Sequence, residues 1–180
     1  MAIQIILEAF YFMLPAYFAN MAPVLCRKLF KNINYPLDFN KTLNKKPILG
    51  KNKTFKGLFF GVLFAVIVAF LQFKLQKYNF FSSISIMNYN NWLVIGFLFG
   101  FGAITGDAVK SFIKRRFNIK PGTRFVPWDQ IDFVIGALLF ISAVYVSSIK
   151  MIIVILIMSF LLHILSNHFA YYTKIRKEKW

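Results

Sequence analysis

From residue 57 to residue 73 the chain reads GLFFGVLFAVIVAFLQF, with no charged side chain anywhere in the run. A helix that is apolar on every side must be buried in a large core or in lipid. With only 180 residues and several such runs, this chain has no large core to offer, and the bilayer is left. About 20 apolar residues cross the hydrocarbon core. Measured against that length, the sequence predicts an all-α, polytopic integral membrane protein forming a single transmembrane domain over residues 1–180. Its spanning helices, about five, are expected near residues 2–25, 57–73, 92–109, 131–147 and 151–172.

Details within the runs refine this division. The first run has no basic residue ahead of it and carries Glu8, which fits a retained helix better than a cleaved signal peptide. Gly96, Gly100, Gly102 and Gly106 allow the third helix to approach its neighbours closely. Residues 131–172 are too many for one span, and Ser147, Ser148 and Lys150 mark the expected turn between the fourth and fifth. Asn20 and Pro23 admit two readings, a break in the helix that points polar groups at a site or a simple proline kink.

Charge gives the orientation. A net charge of +16 suggests a nucleic-acid partner until the basic residues are located. They lie in the gaps between apolar runs, as the positive-inside rule requires, and no nucleic acid is needed to explain them. Residues 26–56 hold nine Lys and Arg, residues 110–130 six and the tail after Tyr172 four, against three in all the alternating gaps. The N-terminus is expected outside and the C-terminus inside the cell membrane, with loops 26–56 and 110–130 facing the cytoplasm. Cys26 is the only cysteine, which excludes an intramolecular disulfide and leaves a packing role.

The chemistry-bearing residues fall on that cytoplasmic side. Between Gly106 and Asp132 stand three of the six acidic residues beside six basic ones, a mixture suited to a magnesium triphosphate. A loop needing only positive charge gains nothing from Asp107, Asp129 and Asp132. On a continuing helix Asp107, Ser111 and Lys114 share one face, with Arg115 beside them, and the helix should end at Pro121 and Gly122. Asp129 and Asp132 are three apart and share a face at the start of the next helix. They are read either as helix caps or as ligands of magnesium, which takes one or two protein carboxylates plus phosphate oxygens. Ahead of the second helix, Lys51, Lys53, Thr54, Lys56 and Gly57 offer cations, a hydroxyl and backbone N–H groups to a phosphate. The spacing there is not that of a Walker A loop.

Gly106, Asp107, Ser111, Lys114, Arg115, Lys120, Pro127, Asp129 and Asp132 together resemble the signature of the CDP-diacylglycerol synthases. That signature runs G-D, S-x-x-K-R, a lysine, a proline and a closing D-x-x-D. The family's His-Gly-Gly before the closing aspartates is missing here, the loop is shorter, and Gln130 replaces an arginine. The shorter form is similar to the archaeal branch, the CDP-archaeol synthases, over nearly the whole chain. Pro15 to Val24, the segment around Asp38, and His163, Asn167, Ala170, Tyr171 and Trp180 fit that branch as well. Its usual G-D-G-K-T run is departed from at Gly50, Lys51, Asn52, Lys53 and Thr54, so the second loop brings no carboxylate.

The resemblance implies a cytidylyltransferase that joins CTP to an unsaturated archaeal lipid phosphate, digeranylgeranylglyceryl phosphate, releasing pyrophosphate. Mg2+ would be held by Asp107, Asp129 and Asp132. These three with Lys114 and Arg115 are the expected catalytic set, and Lys53, Thr54, Gly57, Ser111, Lys120 and Asn20 the expected substrate-binding set. Asp38→Asn is expected to do less harm than a change at the other aspartates. His163 and His168, roughly 140° apart around a helix, are poor joint metal ligands and read as packing residues. The rival readings are a small solute transporter, against which no inverted repeat is visible, and a CDP-alcohol phosphotransferase, whose D-G-x-x-A-R element has no counterpart. The bilayer is the expected surrounding, and the sequence sets no oligomeric state.

Overall fold

Helices form along the apolar runs, and hydroxyl side chains cap two of them. The computed structural model describes residues 2–29, 34–120, 123 and 125–174. Its elements in chain order are α1 (Ala2–Leu29), β1 (Thr42–Leu43), β2 (Lys46–Pro47), α2 (Phe55–Leu75), α3 (Asn79–Ser83), α4 (Trp92–Arg116), α5 (Trp128–Ile141) and α6 (Ile149–Tyr172). Thr54 accepts the Gly57 N–H at 3.1 Å to start α2, and Ser148 accepts the Met151 N–H at 3.2 Å to start α6.

Four stretches are long and apolar enough to cross a bilayer: Ile3–Cys26, Phe55–Leu75, Trp92–Arg116 and Ile149–Phe169. The all-α, membrane-embedded class expected from the sequence is the class observed. The fourth expected span is a shorter element. At 14 residues, α5 is about 21 Å long, less than the roughly 30 Å of a hydrocarbon core. It stops at Ile141 because the N–H groups of Ala143, Val144 and Tyr145 turn back onto the Phe140 and Ile141 carbonyls. The chain therefore leaves the helix ahead of Ser147. In the other direction, α4 extends past residue 109 to Arg116, where Asn118 takes a left-handed φ of 58° just beyond the end. Pro121, Gly122 and Trp180 lie outside the described residues. Helix α1 passes through both Pro15 and Pro23 without interruption.

The bundle is organised around α4, which packs most extensively on α5 and α2, while α6 leans on α1 and α5. Glycines set the closeness of these contacts. A methyl group at Gly96 would lie 2.5 Å from the Val66 Cα, and one at Gly100 2.7 Å from the Val62 Cα. Between α4 and α5 the approach is tighter still, because Gly106 faces the Asp132 carbonyl and Gly136 faces the Gly102 carbonyl. The glycine run thus does what its spacing suggests, and it brings the first turns of α5 directly against α4.

Loop 34–54 is more ordered than its sequence suggests. It folds into a hairpin pairing Thr42 with Pro47 and Leu43 with Lys46, turned by Asn44 and Lys45 at φ 51° and 60°, as in a type I′ turn. Arg116, the last residue of α4, holds the hairpin by donating to the carbonyls of Leu43 at 2.8 Å and Pro47 at 2.6 Å. The two basic loops therefore lie at the same end of the bundle.

Candidate active site

Three positions on one face of α4 begin the site: Asp107, Lys110 and Lys114, at i, i+3 and i+7. Asp129 and Asp132 come from the first turns of α5, at i and i+3. Because the glycine contact lets the two backbones touch, these faces meet. Lys110 Nζ then stands 3.1 Å from Asp107 Oδ1, 3.1 Å from Asp129 Oδ1 and 2.7 Å from Asp132 Oδ2. Lys53, from the loop ahead of α2, closes an ion pair with Asp107. Lys114 Nζ lies 3.1 Å from both Asp129 oxygens and donates to the Thr123 carbonyl at 2.6 Å. Three carboxylates and three ammonium groups are thus locked together, and each is mostly shielded from solvent.

Position distinguishes the two aspartates, since only Asp129 lies in the first turn of α5. Pro127 is the N-cap of α5 and makes no side-chain cap. Asp129 does accept the Phe125 N–H at 2.7 Å, which ties the preceding loop to the helix. Asp132, one turn further in and buried, faces α4 instead.

Of the eleven residues proposed from sequence, five meet in this cluster: Lys53, Asp107, Lys114, Asp129 and Asp132. Five of the other six make contacts of their own. Thr54 is occupied as the α2 cap. Gly57 supplies the capped N–H and packs against Pro23, 3.4 Å from where its methyl would be. Ser111 donates back to the Asp107 carbonyl at 3.0 Å, within its own helix. Arg115 donates to the Ile119 carbonyl at 2.7 Å and closes the end of α4. Lys120 is exposed, and its carbonyl receives the Thr123 hydroxyl at 2.8 Å. Asn20 is half-buried in α1. The residue that sequence reasoning missed is Lys110, at the centre of the cluster. Its signal was its place three after Asp107 and four before Lys114, on the same helical face. His163 and His168 bond within α6, to Asn167 at 3.2 Å and to the Ile164 carbonyl at 2.9 Å.

Asp38, expected to matter less than the other aspartates, has a structural role in its loop. Its carboxylate is buried and accepts the N–H groups of Leu49 at 2.8 Å, Gly50 at 3.0 Å and Asn40 at 3.1 Å. Burial alone would push its pKa up; the three donors outweigh that and hold the carboxyl below the ordinary aspartate value. Asp38 is the anchor of the loop that delivers Lys53.

The donor set suits a hard divalent ion such as magnesium. Among the described residues no three His, Cys, Asp or Glu side chains form a ready metal shell, since the carboxylates meet on ammonium groups. Magnesium does not need such a shell, because one or two carboxylates with water and phosphate oxygens complete its octahedron. Asp132 Oδ2 is buried with Lys110 Nζ 2.7 Å away, and a carboxylate oxygen has a second lone pair beyond that contact. It keeps accepting capacity for a cation.

Comparison with known proteins extends over the same residues. Residues 2–180 match a family model described as "CarS-like: CDP-archaeol synthase". A CDP-archaeol synthase of Methanocaldococcus jannaschii is 34% identical over 179 residues, 98% of each chain. One from Pyrococcus furiosus is 35% identical over 176 residues, covering 97% of this chain and 98% of that one. A solved structure, described as an intramembrane enzyme for archaeal membrane lipids biosynthesis, superposes with a TM-score of 0.75 at 30% identity. The superposition covers 90% of this chain and 94% of that one.

Proposed function

The chain belongs to the CDP-archaeol synthase family, and from that premise we propose that its cluster of aspartates and lysines joins CTP to a lipid phosphate held in the membrane. The protein is a membrane-embedded nucleotidyltransferase of archaeal lipid synthesis. An oxygen of the phosphate of digeranylgeranylglyceryl phosphate attacks the α-phosphorus of CTP. The bond from that phosphorus to the oxygen bridging to the β-phosphorus breaks, and pyrophosphate leaves with the electron pair. The product carries CMP on the lipid phosphate through a new pyrophosphate link, as unsaturated CDP-archaeol.

The observation that carries this reading is the convergence of Lys53, Asp107, Lys114, Asp129 and Asp132 at one end of the bundle. Transfer between phosphates asks for alignment and charge neutralisation more than covalent help from the protein. Asp107, Asp129 and Asp132 would hold Mg2+, which when bound neutralises charge on the phosphate oxygens. Lys53 and Lys114 bring ammonium groups to the same place, where they bind the triphosphate and stabilise the leaving pyrophosphate. Phe59, Leu63 and Ile67 face outward on α2, so the isoprenoid tails can stay in lipid while the phosphate reaches the end of the helices.

Purified protein given labelled CTP, Mg2+ and the lipid phosphate is expected to yield a nucleotide-tagged lipid, and none when the metal is chelated. Equal turnover with ATP would remove cytidylyl transfer as the specific activity. Solute flux in proteoliposomes without lipid product would restore the transporter.

The active site is read as cytoplasmic because the loops around it carry most of the basic residues. Asn44 and Asn118 mark the hairpin turn and the end of α4, on loops joined through Arg116. Single cysteines placed there in a Cys26-free background should both react with an impermeant thiol reagent from the cytoplasmic side. Labelling from opposite sides would break the assembled site, and labelling of both from outside would invert the topology.

A further inference from the structure

We propose that Lys110 is a tethered counter-ion that occupies the place of the divalent metal, so that its ammonium and the metal compete for Asp107, Asp129 and Asp132. The inference rests on the metal-binding reading of those aspartates given above. Lys110 Nζ is the point on which all three carboxylates converge, at 3.1, 3.1 and 2.7 Å. Neither of the other lysines reaches more than one of them: Lys53 meets Asp107, and Lys114 meets Asp129.

The charge balance explains why such an ion would be built in. Three carboxylates forced together by the α4–α5 contact repel one another, and a shielded, unpaired carboxylate is costly. Three lysines balance the three carboxylates in formal charge. A divalent ion arriving alone would take carboxylate oxygens from Lys110 and leave its ammonium unpaired in a shielded site. A triphosphate arriving with the metal removes that penalty, because its oxygens can receive the released ammonium. Lys110 therefore opposes metal binding in the empty enzyme and turns to the nucleotide once the metal is in place. It is a positioning residue for metal and triphosphate together.

Competition makes a prediction opposite to that of a merely structural lysine. Mn2+ serves as the probe, with free ion measured by electron paramagnetic resonance on the full-length protein in detergent, without nucleotide. Lys110→Gln is expected to bind Mn2+ at least about tenfold more tightly than the parent, within the usual range of coupling between two ligands. Lys110→Arg keeps the cation and should stay near the parent. Equal or weaker binding by Lys110→Gln, while the parent binds, would overturn the competition and leave the metal assignment standing. No Mn2+ binding by any of these proteins would overturn both. A second measurement needs no variant and decides the matter if Lys110→Gln does not fold. In the parent protein, acetylation of Lys110 by an amine-reactive ester, followed by mass spectrometry, should speed up when Mg2+ is added. An unchanged or slower rate would overturn the proposal.

Discussion

Asp132→Asn is expected to cut cytidylyl transfer by about 100-fold or more, a barrier increase of at least about 2.7 kcal/mol, in a protein that still folds and inserts. Asn matches Asp in shape and caps helices nearly as well, but it lacks the charge that a hard magnesium ion requires. The fold has little to lose. Asp132 does not cap α5, whose N-cap is Pro127, and Lys110 would keep Asp107 and Asp129 at 3.1 Å each. Asp129→Asn should lose activity to a similar degree, while its retained side-chain oxygen still accepts the Phe125 N–H. Turnover against Mg2+ concentration, with thermal unfolding as the control, checks both variants. Near-normal turnover in the pair, with unchanged stability, would remove the aspartates from the reaction and reduce them to partners of Lys110 and Lys114.

What could be read in the sequence follows from how local each signal is. Apolar runs and helical periodicity act over a few residues, so α2 and α4 were visible, and so was the shared face of Asp107 and Lys114. The early stop of α5 was not, because Val144, Tyr145 and Val146 continue the apolar run past the turn. Hydropathy cannot register backbone N–H groups folding back onto Phe140 and Ile141. The hairpin at residues 42–47 was hidden for a related reason, since Lys45 carries a left-handed φ that lysine rarely adopts. Lys110 and Asp38 were missed because their roles are set by partners distant along the chain. Lys110 gains its meaning only when α5 lands opposite, and Asp38 only when Leu49 and Gly50 return to it. For Arg115 and Ser111 the sequence shows the helical face but not the hydrogen bonds. Facing the right way on a helix does not prevent a side chain from bonding to its own backbone, as both do.

The dependence of the site on the α4–α5 contact gives the second large effect, at a residue with no functional group. Gly106→Ala places a methyl group against the Asp132 carbonyl, with the Gly136 Cα only 3.1 Å away. Both obstacles are backbone, so no side chain can rotate to make room. Overpacking of this kind costs about 1–3 kcal/mol of stability. The helices must also move apart at the turn that carries Asp132, and a displacement of about 1 Å in a reacting site can cost on the order of 100-fold in rate. Gly96→Ala is the matched control. Its methyl would meet the Val66 backbone at 2.5 Å, on the α2 side of α4 and about three turns from Asp107. Both variants should unfold at lower temperature, and only Gly106→Ala should lose turnover per folded molecule, by about 100-fold. Equal losses in the two would show that helix spacing acts through stability alone. Full turnover in Gly106→Ala would mean that the closeness of α4 and α5 does not position the aspartates.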